Sequence, residues 1–237
     1  MAGEWTAFCA LNERRRAIRD FDGTPVCDED VRAILEQALL APSSGNLQPY
    51  HVHWVRDPVL RGRIAAACRG QRAAASAPVL LVFSAGVDAA RATAGAQLEY
   101  VNACDALDER AKTYHRAQLA TFRRFMRWGT SWIWSPLHAA ICAVWPPLSM
   151  IPVGSAAARH WAARSAVYAA QTVLLAAAAR GVDSCPMEGF DARTVARLLA
   201  LPRGTVVPVV IAIGRRRTGA RVEPRWRRSF ADAVRVT

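Results

Sequence analysis

Three distant stretches of this chain gather residue types suited to an anion and a flat polar ligand. "RRAIRDFDGTPV" (15–26) places Arg15 and Arg19 four residues apart, so both can approach one anion. "APSSGNLQPY" supplies Pro42, Ser43, Ser44, Asn46 and Gln48 in one short loop, and "PRWRR" adds Arg225 and Arg227 near the C-terminal end. Between them lies "CPMEGFD", whose Gly189 would let a backbone N–H come close to a ring. Guanidinium forks match phosphate, while hydroxyls and amides match a polyhydroxy chain and a heteroaromatic edge. Neither a Walker loop nor G-x-G-x-x-G is present, so a P-loop or Rossmann turn would not hold that phosphate.

Blander roles compete at each position. Arg15 and Arg19 could be solvated helix-end residues, and Asn46 and Gln48 could satisfy only their own turn. Cys185 reads as a small packed thiol. His51 and His53 fall on one face of a strand as two metal ligands might, but no third ligand stands at a suitable spacing.

The elements that must position these groups follow from periodicity. Residues 28–39 open on acids and repeat Val31, Ile34, Leu35 and Ala38 at helical spacing, which predicts a helix stopped by the Pro-Ser-Ser-Gly loop. "YHVHWV" (50–55), "PVLLVF" (78–83) and "VVPVVIAIG" (206–214) predict strands, the last two buried. Residues 88–127 have helical composition and no Pro. Ser155 to Gly181 predicts a long helix capped by Ser155, with Trp161, Ser165, Tyr168, Thr172 and Leu175 on one face. "DSCPMEGFD" (183–191) reads as a compact loop, and Asp191 as the cap of a short helix with Val195, Leu198 and Leu199 inward. Strands interleaved with helices predict an α+β or α/β core.

Composition narrows the function classes. A chain of 237 residues at 52% hydrophobic has ample core material, which excludes wholesale disorder. Six scattered cysteines without a C-x-x-C pair point to reduced thiols and a cytoplasmic setting. The net charge of +12 attracts anions, and Lys112 is the sole Lys. The arginines fall in short clusters rather than a stripe with interleaved aromatics, which argues against nucleic acid. Residues 128–158 carry no Asp, Glu, Lys or Arg but hold Trp128, Trp132, Trp134 and Trp145. Prolines 136, 146, 147 and 152 interrupt this run, so a spanning helix is not expected. It reads as an apolar lid over a substrate opening or a dimer interface, ahead of a membrane-surface contact flanked by Arg123, Arg124 and Arg127.

"RRAIRDF", "APSSGNLQPYHV", "GVDSCPMEGFD" after a long Ala-rich helix, and the basic C-terminal end stand in one order. Together they resemble the FMN-dependent nitroreductase family, also called the nitro/flavin reductase superfamily. The resemblance implies a single α+β domain over 1–237, a nitroreductase-like mixed sheet flanked by helices, with a variable excursion at about 128–158. It implies an intertwined homodimer with FMN at two sites between the subunits. Arg15, Arg16, Ala17 and Arg19 would meet the phosphate and ribityl chain, and Arg225 and Arg227 would close on the phosphate. Pro42, Ser43, Ser44, Asn46 and Gln48 match the loop that comes from the partner subunit. Pro186, Met187, Glu188 and Gly189 match the stretch beside the isoalloxazine, and Ser165 stands where some members place a Gln. Ala17 replaces the usual Ser and removes one hydroxyl from the phosphate site. The implied activity is hydride transfer from NADH or NADPH, through the flavin, to a nitroaromatic, quinone or similar electron-poor acceptor. No catalytic side chain is implied. The alternatives are a specialised flavoenzyme of the same fold (a biosynthetic dehydrogenase, dehalogenase or flavin-consuming enzyme) and a non-enzymatic basic module on membrane or nucleic acid.

Overall fold

The computed structural model describes residues 2–129, 136, 140 and 154–237. The excursion expected at 128–158, with its lid, interface and membrane readings, lies largely outside the described residues.

Four strands form the described sheet: β1 (Tyr50–Val55), β2 (Val79–Ala85), β3 (Asp183–Met187) and β4 (Val206–Gly214). Their order is β1-β2-β4-β3, and each neighbouring pair is antiparallel. A parallel bridge between Ala17 and Ser184 makes the edge mixed. The sheet is covered on both faces, which explains why β2 is buried at every position and lacks polar alternation. Val79, Leu81 and Phe83 face one core with Val209, Ile211 and Ile213; Leu80 and Val82 face the other with Val210 and Ala212. Each fully buried Leu or Phe contributes about 1.5–3 kcal/mol.

The first core lies under α2 (Asp28–Ala38), α5 (Val87–Ala103), α6 (Glu109–Arg124) and α7 (Ser155–Ala179). The second lies under α3 (Pro58–Ala67), α4 (Arg72–Ser76) and α8 (Ala192–Leu198). Helix α1 (Ala2–Arg14) is mostly exposed, and α9 (Phe230–Ala233) has no buried residue. On α7 the buried face runs through Ala162, Ala166, Ala169, Val173 and Ala177. Tyr168 is 55% exposed, so the face drawn through Trp161, Ser165, Tyr168, Thr172 and Leu175 is rotated from the true one. The buried face is largely alanine, whose small side chains let the helix approach the sheet, with Trp161, Val173 and Leu174 buried beside them. Ser155 is the first helical residue rather than the cap, a place taken by Gly154 at φ 95. Gly181, at φ 73, ends α7 as expected.

Other expectations shift modestly. The helical stretch 88–127 divides at Cys104–Asp108, where the Asp108 carboxylate accepts from the N–H of Ala111 at 2.7 Å and restarts α6. β1 and β4 match their expected bounds, while β2 runs to Ala85. The largest correction is at 183–187, read as loop and found as β3. Pro186 obscured it, but a residue without an N–H is tolerated on the outer strand of a sheet.

Candidate functional site

The chain leaves α1 at Arg14 and runs extended past the outer side of β3. The Ile18 N–H donates to the Ser184 carbonyl at 3.0 Å, beside the Ala17–Ser184 bridge. In extended chain the residues at 15, 17 and 19 share one side, and Arg15 and Arg19 both bear electrostatically on Cys185. The four-residue spacing therefore converges through strand periodicity, not through a helix turn.

The C-terminal segment returns to the same place. Arg225 donates from Nη1 to the Asn12 carbonyl at 3.1 Å, and from Nη2 to those of Glu13 at 2.7 Å and Arg15 at 3.0 Å. These are orphan carbonyls at the end of α1, so Arg225 clasps a helix terminus. Its Nε–H and one Nη1 hydrogen remain for another acceptor. Arg16 is fastened by its guanidinium to the Glu223 carbonyl, and Arg227 donates to the Trp226 carbonyl at 2.7 Å.

Burial first, and then Arg225, Arg227 and Arg16, push the Arg15 pKa down. Arginine remains a cation at neutral pH, so this lowering marks a guanidinium withdrawn in part from water, with like charges beside it. The nearby acid, Asp20, is occupied by Arg72 at 2.7 Å and Arg217 at 3.2 Å. Among the described residues Arg15 and Arg19 have no ion pair, so an anion is what the cluster lacks. Burial raises the Cys185 thiol against the pull of Arg19 and Arg15, which keeps it protonated at neutral pH.

Further along this edge, Pro186 is exposed and Met187 buried, and Glu188 and Gly189 then leave the strand exposed. The Gly189 carbonyl accepts from Gln71 Nε2 at 2.8 Å. A Cβ on Gly189 would meet only that same nitrogen, at 3.4 Å. Among the described residues nothing demands glycine here, which leaves room for a ligand to approach the backbone.

The loop expected to hold amides and hydroxyls is built tightly. Gly45, Asn46 and Gln48 have φ of 61, 53 and 42. Such conformations cost non-glycine residues free energy and persist where surroundings enforce them. Ser43 Oγ accepts from the Gln48 N–H at 2.9 Å, and Gln48 Nε2 donates to Asn46 Oδ1 at 3.1 Å. A Cβ on Gly45 would stand 2.6 Å from the Phe122 ring, so glycine is required. Pro42, Ser44 and Asn46 are exposed. This loop feeds β1 at the far edge of the sheet, three strand spacings or about 14 Å from β3. One chain therefore brings together Arg15, Arg16, Ala17, Arg19, Arg225 and Arg227 beside Pro186–Gly189, but not the 42–48 loop. Ser165 is buried on α7.

At the β1 edge, His53 Nε2 shares a hydrogen bond with Ser84 Oγ at 2.7 Å, and the His51 ring lies 6.4 Å away. No group of three metal-ligating side chains occurs among the described residues. Sequence reasoning missed the Arg225 clasp; its partners lie more than 200 positions away, and no local signal announces them.

A protein of Thermus thermophilus named NADH dehydrogenase is 31% identical over 201 residues, 85% of this chain and 82% of its own length. The solved structure of ydfN from Bacillus subtilis superposes with TM-score 0.76 at 24% identity, covering 98% of this chain and all of the other. A structure from Exiguobacterium sibiricum in complex with FMN superposes with TM-score 0.73 at 19% identity, over 97% of each chain. The family model described as "Nitroreductase family" matches residues 13–215, from the approach to the arginine edge to the end of β4. On that match and the Thermus likeness, the chain belongs to the nitroreductase family.

Proposed function

We propose that this protein is an FMN-dependent oxidoreductase that takes a hydride from NADH or NADPH and passes it to a nitroaromatic, quinone or similar electron-poor acceptor. The observation that carries the reading is the cluster of Arg15, Arg16, Arg19, Arg225 and Arg227, like charges with no ion pair among the described residues, on the edge that leads to an exposed, Cβ-free backbone at Gly189. That donor set suits a phosphate with a flat ring system beyond it. The family match and the FMN complex of the Exiguobacterium structure support the same cofactor.

Bound FMN would supply a two-electron centre able to accept hydride from a nicotinamide and release it to an acceptor. Everything else falls to the chain. Arg15, Arg19 and Arg227 would neutralise the phosphate, and Arg225 would add its spare hydrogens while holding the end of α1. Ala17 offers no hydroxyl there, so charge carries the phosphate contact. Pro186, Met187, Glu188 and Gly189 would flank the ring, with the Gly189 N–H toward it. Positive charge nearby favours an anionic reduced cofactor. Ser43, Ser44, Asn46 and Gln48, beside Pro42, would serve the site of a second copy, because their own edge lies across the sheet from their own arginines. Exposed Trp5, Phe8, Trp226 and Phe230 are apolar surface for such a homodimer. The scattered cysteines support a cytoplasmic setting.

Purified protein should be yellow, bleach anaerobically with a reduced nicotinamide, and recover colour with an acceptor in ping-pong kinetics. A colourless protein that takes up no FMN would overturn the reading.

A further inference from the structure

A second cationic feature adjoins the Arg15–Arg19 segment. A cleft of 290 Å³ opens between the end of α7 and the exit of α1, lined among others by Arg14, Arg15, Arg16, Arg216, Gly181 and Asp183. Arg15 thus joins it to the phosphate cluster. Of the groups that would offset its charge, the helix carbonyls are occupied and Asp183 keeps acceptor capacity. The end of α7 would offer carbonyls, but Arg180, Gly181 and Val182 donate their N–H groups to Ala176, Ala178 and Ala177. Asp183 accepts from the Arg216 N–H at 3.1 Å. Arg16 spends one branch of its fork on Glu223, and no described ion pair engages Arg14 or Arg216. Four guanidiniums face one carboxylate in a space just below the range for drug-sized ligands, enough for one phosphate group.

Two arginines suffice to balance one phosphate dianion, and Arg15, Arg19 and Arg227 already exceed that. We propose that this cleft binds the 2′-phosphate of the reductant, so that the enzyme selects NADPH over NADH. This rests on the FMN-dependent reading above. Arg14 and Arg216 take the phosphate oxygens, with Arg16 behind them, and the Asp183 carboxylate accepts from the neighbouring ribose hydroxyl. NADH leaves the same cations unpaired and gains nothing from them. The selectivity is electrostatic, so it shrinks as salt rises.

The test uses the flavin-loaded protein and measures kcat/KM for both nicotinamides at fixed acceptor. NADPH should be preferred about ten- to hundredfold at low salt, the value of one or two charge-assisted contacts. Arg216→Ala and Arg14→Ala should erase most of that preference by raising KM for NADPH, while KM for NADH and flavin absorbance stay unchanged. Inorganic phosphate should compete with NADPH and not with NADH. Equal kcat/KM values in the parent, or equal loss for both nicotinamides in the variants, overturn the assignment while leaving a working flavoenzyme. Failure of both nicotinamides to reduce a bound flavin overturns the flavin reading together with it.

Discussion

The two edges of the sheet solve opposite problems. At the β3 edge, cations are crowded beyond what the chain neutralises: Arg15 is pushed down by burial and by Arg225, Arg227 and Arg16. At the β1 edge the ligand-like residues are neutral, and the free energy is held in backbone conformation, with Gly45, Asn46 and Gln48 at positive φ. The first edge is adjustable, because guanidiniums sit on long stems; the second is rigid, because Phe122 and the Ser43–Gln48 bond fix it. Under the proposed function the charged edge would provide affinity and the rigid edge shape. They stand about 14 Å apart in one chain, and under the proposed function each would be half of a site.

Separating two copies should have the largest effect, because it removes the rigid edge from every charged one. Light scattering should show a dimer, and dilution to monomer should release FMN. A monodisperse monomer with full flavin occupancy would break the comparison outright. Next comes the loop itself. Gly45→Val drives a side chain into Phe122 and into an unfavourable φ, at a cost of about 2–4 kcal/mol in urea unfolding. Adding Phe122→Ala should relieve the steric part only; unchanged stability in Gly45→Val would show that the loop is not rigid.

The smallest effect is a pH dependence at the β1 edge. Burial first, then His51, lowers the His53 pKa below its ordinary 6.5. The folded state then binds that proton less well than the unfolded chain, so stability rises with pH through the window below about 6.5 and levels off above it. Urea midpoints should fall on acidification from pH 7.5 to 5.5, and His53→Gln should flatten the slope. A slope that survives the substitution would assign the effect elsewhere.

What was legible in the sequence follows from range. β1 and β4 show in their apolar runs, and Asp191 shows as a cap because its bonds to Arg193 and Thr194 are local. β3 did not show, because Pro186 and Gly189 mark loops unless the strand is known to be outermost. α1 gave no periodic signal since it buries almost nothing. The Arg15–Arg19 pair was legible as chemistry but not as geometry, because adjacency to Ser184 decides that it is extended. The Arg225 clasp and the packing of Gly45 against Phe122 are settled by distant contacts, which no local pattern encodes.

The central claim is that the charged edge holds a phosphate, and paired titrations of apo-protein with FMN and with riboflavin test it most directly. Arg19 touches no acid among the described residues and lies beside Cys185, so Arg19→Ala removes charge with little else. The expected loss is about 1.5–3 kcal/mol for FMN, roughly ten- to hundredfold in affinity, with riboflavin binding unchanged. An equal loss for riboflavin, which has no phosphate, would contradict it and show that the arginine acts through folding.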